Sequence, residues 1–461
     1  MAETSSNRVL IFGFRRPLNQ EALKQALAGV RPERLGLVSR SNFLEGLADE
    51  FLSARHGFRA CTFEANPYDA FPPASLFEAL KPAEVVALRM YERIFRGART
   101  GQAYELRRRL WLQHVAWAYG LLVENDYRTL IFSEIPHHPF PFVLHAVARA
   151  LGLRVLFFAQ VQVKDTHVLC ESIEGMFDPV GASYRQLVER GEEPGYDDLA
   201  PHLRAEFDRR TGKHEPFYMG LSDLTWRRKL YMRSKKFFRA DDRLRLHRTI
   251  KNGLAYKAAR RPVPAAGERF VYFPLHLQPE ATTNPMGGVF VDQYLALETL
   301  VRALPAGWKV VVKENPVQKF AKRDYGFYEH LGAMDAVHLV SRDTSTFDLI
   351  ERCEAVATIT GTAGWEALFS ARPAIVFGRA FYRDAPGVIA VEDTESLASA
   401  LREIEAGTFA AATHADVIRF LKALEHVSHH GVVDTAYLRD SDLPLEESIE
   451  RHAKALEALL R

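Results

Sequence analysis

The sequence predicts an α/β protein built from two Rossmann-like domains, and three observations carry that prediction. Three short apolar runs rich in β-branched residues, Phe270–Phe273, Lys309–Val312 and Val356–Ile359, have the character of parallel strands buried on both faces. The segments around them have helical spacing, as in Leu297, Leu300, Val301 and Leu304. The same alternation of strand and helix occupies the first third of the chain, so the doubly wound pattern occurs twice.

Taken in order, Val9–Phe14 reads as a strand, followed by a helix capped by Asn19 and running through Leu27. Arg34–Ser39 and Ala60–Glu64 fit further strands, and a long helix surrounds Tyr104–Asn125. Thr129–Phe132, Phe140–Leu151 and Arg154–Phe158 form a second strand–helix–strand series. The expected divisions are an N-terminal Rossmann-like domain at 1–165, a helical, basic insertion and linker at 166–262, a C-terminal Rossmann-like domain at 263–410 and terminal helices at 411–461, near Ala415–His426 and Leu445–Leu460.

Composition narrows the class. The chain has 461 residues, 47% hydrophobic and 26% charged, enough for two or three soluble domains. It contains no apolar run of the roughly 18 residues that suggest a membrane-spanning helix. Its first residues show no basic-then-apolar signal, and the cytoplasm is the expected compartment. Cys61, Cys170 and Cys353 are scattered and suggest neither a disulfide framework nor a zinc site. The net charge of +2 hides a strong asymmetry: Trp226–Arg261 holds fourteen Lys and Arg against Asp241 and Asp242, a net +12, so the rest sums to about −10. Aromatic and aliphatic residues interleaved with these cations suit a helix lying on anionic lipid; a solvated basic helix is the plain alternative. No RNA- or DNA-binding module surrounds the stretch, and no nucleic acid is expected.

Ligands of doubly wound domains sit beyond the carboxyl ends of the strands. The loops His276–Gly288, Glu314–Gln318 and Thr360–Trp365 should therefore gather at one crevice. In Thr360-Gly361-Thr362-Ala363-Gly364 the glycines would let backbone amides approach a ligand, and the helix behind them favours a phosphate. Glu366 would lie in the first helical turn, placed to accept from a sugar hydroxyl. Lys313 ends a strand and is the expected cation. In the first half, Glu134 follows the strand Thr129–Phe132 in a Pro-punctuated turn with His137 and His138; it is the expected nucleophile or general base, with a histidine contacting acceptor or phosphate. Asp165 is the second carboxylate.

The stretches FPLHLQPEATTNPMGG (273–288), KENP (313–316), TGTAGWEAL (360–368), FGRAFYRDAPGV (377–388) and SEIPHHPFPFVLHAVARALG (133–152) resemble the bacterial capsular polysaccharide biosynthesis family, which includes β-Kdo transferases. The resemblance implies a GT-B glycosyltransferase with a nucleotide-sugar donor such as CMP-Kdo, a glycan or lipid-linked acceptor, no cofactor and no obligatory metal. It adds Gln278, Glu280 and Asn284 to the donor site, with Glu314 and Asn315 after the second strand. Where the family has His before the Pro, this chain has Asn315, which can donate a hydrogen bond but cannot carry a charge. Two alternatives remain at this level: a GT-B-shaped epimerase or polyol-phosphate transferase, and a non-catalytic scaffold docking assembly enzymes at a membrane.

Overall fold

The computed structural model describes residues 7–53, 65–95, 104–212, 240–438 and 441–461. The expected strand at 60–64, Cys61 and residues 226–239 of the basic stretch lie outside the described residues. The chain divides into two compact units, one of Met1–Phe95, Thr100–Met176 and Val427–Arg461, the other of Arg96–Arg99 and Phe177–His426.

The first unit holds a seven-stranded sheet of β1 (Arg8–Phe12), β2 (Arg34–Ser39), β3 (Glu50–Ser53), β4 (Thr129–Phe132), β5 (Arg154–Gln160), β6 (Thr166–Cys170) and β13 (Ser428–His430), in the order β13-β6-β5-β4-β1-β2-β3. Strands β1 to β5 are mutually parallel; β6 and β13 run antiparallel at one edge. The strand order reverses between β1 and β4, the arrangement that opens a binding crevice in such sheets. Strand β1 stops at Gly13, where φ is +98° and a Cβ would sit 2.5 Å from Ser133 Oγ. Both the conformation and the close approach require glycine there. The next helix begins at Pro17, not under an Asn19 cap: proline occupies a first-turn position, where its missing N–H costs nothing, and Asn19 is buried inside the helix.

The last helix, Leu445–Leu460, packs on Pro17–Gly29 through Ala22, Leu23, Ala26, Leu27, Leu456 and Leu460. The segment from Val427 onward therefore completes the first unit, whereas the expected helix near Ala415–His426 belongs to the second. Residues 166–170, expected to open a helical insertion, instead form β6 of this sheet, because Val161 N bonds Thr166 O and turns the chain back on β5. The first unit thus runs to Met176, past the expected 165.

The second unit is a six-stranded, wholly parallel sheet of β7 (Phe270–Pro274), β8 (Lys309–Lys313), β9 (Val337–Val340), β10 (Ala355–Thr358), β11 (Ala374–Val376) and β12 (Val388–Ala390). Its order, β9-β8-β7-β10-β11-β12, reverses between β7 and β10. Val271, Phe273, Val310, Val312, Ala355, Ala357 and Ile375 are buried in one core cluster and the alternate residues Phe270, Tyr272, Val311 and Val356 in another, as parallel strands covered on both faces demand. Helix Ala240–Ala259, expected in a separate insertion, belongs to this unit. Its Asn252 side chain donates to Phe320 O (2.8 Å), and its Tyr256 hydroxyl donates to Val340 O (3.2 Å).

Two α/β units with mainly parallel sheets make up the chain, the fold class read from its strand and helix spacing.

Candidate functional site

In the second unit the loops after β7, β8 and β10 meet at the switch point, and a buried arginine binds two of them. Arg323 is fully buried. Its guanidinium donates to both oxygens of Glu314 (2.6 and 2.8 Å), to Gln278 Oε1 (3.0 Å) and to the carbonyl of His276 (2.8 Å). Glu314 also accepts from the Tyr328 hydroxyl and from Asn315 N. Each buried charge is thereby paired and hydrogen-bonded, the condition under which burial is tolerated. Gln278 is equally engaged: its amide nitrogen donates to Val291 O, while its backbone N–H and carbonyl both bond Gln318.

This changes the roles read from the sequence. Glu314 and Gln278 do not face an open cleft; they fix loop shape. Asn315, half-buried, accepts from Val317 N at 3.1 Å and closes an Asx turn, a task histidine performs less readily. Asn284 is buried beside a cis bond to Pro285, and Gln278 precedes a second cis proline. Glu280, half-buried, accepts from Thr283 N and Asn284 N through its carbonyl. Lys313 is buried and its ammonium donates to Thr346 Oγ1 at 2.9 Å.

The β10 loop is also more self-contained than expected. Thr360 N donates to His276 Nε2 (3.1 Å), and Gly361 N donates to Thr358 Oγ1 (3.0 Å), so these two amides are spent within the protein. The Gly361 Cβ position points at Thr358 Oγ1 (2.7 Å) and the His276 ring (3.2 Å), and that of Gly364 at the Tyr382 hydroxyl. Both glycines therefore serve close packing, rather than the ligand approach expected of them. The helix itself begins at Thr362, with Gly361 as its N-cap. Its amino end is where an anion would be favoured.

Glu366 lies one turn deeper than expected. It is buried and accepts from Arg210 at 2.7 Å; Arg210 in turn donates to Glu206, which also accepts from Trp365 Nε1. Burial pushes its pKa up, and the Arg210 charge partly offsets that rise. Its carboxylate is a link between helices Thr362–Phe369 and Pro201–Thr211 within this unit.

His276 was quoted in a motif but not singled out. It joins the β7 and β10 loops: Nε2 accepts from Thr360 N, which places the ring proton on Nδ1. Burial first, then the Arg323 charge, pushes its pKa down to about 3, so the ring stays neutral and keeps accepting. The sequence signal that could have found it is its position two residues beyond a buried strand. Arg323 carried no such signal, because an isolated arginine in a charged segment reads as solvated.

In the first unit the switch-point loops are tied at Ser133: Phe14 N donates to its Oγ at 3.0 Å, and its own N–H donates to Phe12 O at 3.1 Å. The adjacent Glu134 is exposed at the end of β4. His137 and His138, both half-buried, pack ring to ring at 4.3 Å, His137 bonding the carbonyl of Ile135 and His138 serving as N-cap of helix Pro139–Ala150. Asp165 is different. It is buried at φ +49° in the β5–β6 turn, where its carbonyl accepts from Gly431 N and its carboxylate from Asp442 N. It anchors the C-terminal segment.

The folding pattern defines a two-unit Rossmann-like protein whose second unit carries a built crevice at its switch point. Residues 281–415 match the family described as capsule polysaccharide biosynthesis protein, so the family resemblance read from 281 onward is borne out there. That stretch includes KENP, TGTAGWEAL and FGRAFYRDAPGV. No curated protein matches the chain. Among solved structures, the chain is similar to the β-Kdo 2,7 transferase KpsC of Thermosulfurimonas dismutans at 12% identity, covering 80% of this chain and 96% of that one with a TM-score of 0.33. A β-Kdo 2,4 transferase structure from the same organism aligns at 11% identity, 70% and 87% coverage and a TM-score of 0.30. The UDP-GlcNAc 2-epimerase of Neisseria meningitidis aligns at 10% identity, 98% and 99% coverage and a TM-score of 0.24.

Proposed function

We propose that this chain is a glycosyltransferase of capsular polysaccharide assembly that moves a sugar from a nucleotide-activated donor to a glycan or lipid-linked acceptor without a required metal. The observation that carries this reading is the family match over 281–415, which contains the β8 and β10 loops and the helix beginning at Thr362. In this reading the donor phosphate lies at that helix terminus, with Thr362 donating a hydrogen bond and the Lys313 ammonium opposing its charge. Glu280, Asn284 and Thr360 border the sugar or ribose, while Gln278, Glu314, Asn315 and Glu366 act by holding the loops and the helix behind them. Glu134 of the first unit takes the acceptor hydroxyl's proton or attacks the anomeric carbon itself; the bond from that carbon to the phosphate oxygen breaks, and the nucleotide leaves as an anion. His138 orients the acceptor. CMP-Kdo is the first donor to try.

The reading also places the protein peripherally on the inner face of a membrane, with no nucleic-acid partner. Its support is the +12 stretch and the finding that, among the described residues, no helix is long and apolar enough to cross a membrane.

A thermal-shift panel of CMP-, UDP-, GDP- and CDP-compounds tests the donor. A ligand at about 100 times its dissociation constant adds about 2.7 kcal/mol of stability. Release of free nucleotide that depends on added acceptor then separates transfer from epimerisation. Absence of a shift with every nucleotide would favour the scaffold reading and sink this one.

A further inference from the structure

Helix Ala240–Ala259 turns two faces in opposite directions. Arg248, Asn252 and Tyr256 step by four residues along the buried face. Leu246, Ile250 and Leu254 are offset from them by two residues, about 200° around the axis, and are 43%, 54% and 63% exposed. A helix that buries one face needs no aliphatic stripe on the other. Beside the stripe lies a groove of about 510 Å³ whose apolar wall is Ile250, Leu254, Tyr256 and Phe320 and whose cations are Lys257, Arg260 and Arg342. Among the described residues Lys257 and Arg260 make no ion pair, and both are exposed. Arg342 lies over the Phe320 ring at 4.2 Å and donates to Gln318 O, yet its Nε is buried without a hydrogen-bond partner. The one carboxylate lining the groove, Asp343, accepts from the Ser341 hydroxyl.

We infer that this face docks on an anionic phospholipid surface: Leu246, Ile250 and Leu254 enter the acyl boundary while an acidic headgroup seats among Lys257, Arg260 and Arg342. The inference deepens the membrane part of the proposed function and is independent of the transfer reaction. Charge complementarity selects the occupant. Exposed aliphatics bordered by unpaired cations match an anionic interface. A second copy of the same face would bring like charges together. A nucleic-acid strand would call for exposed aromatic platforms, whereas the groove's Tyr256 is buried and the exposed stripe is aliphatic.

The test is co-sedimentation of the full chain with phosphatidylcholine vesicles, with and without phosphatidylglycerol. Wild type should bind only the anionic vesicles. Ile250→Asp with Leu254→Asp, and separately Lys257→Glu with Arg260→Glu, should each weaken binding by at least about tenfold. All four side chains are exposed or line the open groove, so folding should survive; circular dichroism checks it. Lys24→Glu with Arg31→Glu makes the same charge change on exposed positions of the first unit and should alter binding by less than twofold. If wild type binds anionic vesicles and the groove variants bind equally well, this docking face is wrong while membrane association stands. If wild type ignores all vesicles, both fall. If Leu254→Asp instead dissolves a dimer seen by sedimentation equilibrium, the face is a self-association surface and the lipid assignment is overturned.

Discussion

The two switch points contrast sharply. In the second unit three loops are held by a dense network: Arg323, Glu314, Gln278, His276 and Thr360 leave little of the crevice wall free to move. In the first unit the corresponding loops share the Phe14–Ser133 bond, and the carboxylate there, Glu134, is exposed and reaches out from a Pro-bounded turn. A buried carboxylate tied to an arginine shapes a site; an exposed one beside a strand end is available for proton transfer or attack. The difference teaches that the buried acidic residues of the family-matched stretch, Glu314 and Glu366, are the poorer choices for chemistry.

The largest effect should come from removing the exposed charge. Glu134→Gln should lower turnover by about 10²–10⁴-fold while stability and nucleotide affinity barely change. Asp165→Asn, at its buried turn, should reduce stability more than turnover. If Asp165→Asn alone abolishes turnover in a folded protein, the roles are reversed; kinetics with parallel melting curves decides.

The converse holds at the second unit. Arg323→Met leaves Glu314 buried without its partner and should cost about 3–5 kcal/mol of stability. Denaturant unfolding measures it, and an effect below about 1 kcal/mol would mean the network is dispensable.

Acid should separate the units. Burial holds the pKa of His145, His167 and His276 down at about 3, and that of His452 well below the ordinary 6.5. The unfolded chain therefore binds these protons first. Stability is complete above about pH 6.5 and is lost as pH falls toward about 3, by about 1.4 kcal/mol per pH unit for each histidine. His145, His167 and His452 lie in the first unit and His276 in the second. Hydrogen exchange at falling pH should therefore show the first unit opening before the second; simultaneous opening would contradict this assignment.

The smallest effect expected is at the β10 loop. Gly361→Ala places a methyl against Thr358 Oγ1 and the His276 ring, and should cost about 1–3 kcal/mol through forced repacking. Loss of nucleotide affinity with unchanged stability would restore the reading in which a side chain there fills the phosphate's place.

Much of the scaffold was legible because buried parallel strands are short, apolar and β-branched: β2 and β4 fall at the expected bounds, and β7, β8 and β10 within one residue of them. β3 was missed because Glu50–Ser53 is half-buried and lacks that signature. β6 was missed because Thr166–Cys170 pairs antiparallel after a five-residue turn that no Gly-containing dipeptide announces. The crevice was legible as a set of loops, since their positions follow from the strands. Its wiring was not, because Arg323 and Glu314 are distinguished by burial, a property that sequence spacing does not report for isolated charges.

The return of the last helix to Pro17–Gly29 has a consequence for synthesis on the ribosome. The second unit's sequence is fully emerged while the first still lacks β13 and the helix that covers Leu23 and Leu27. The nascent first unit must wait with that apolar surface uncovered, so it is the half that calls for chaperone protection, and a stop codon near 427 should spare the second unit while leaving the first unable to close.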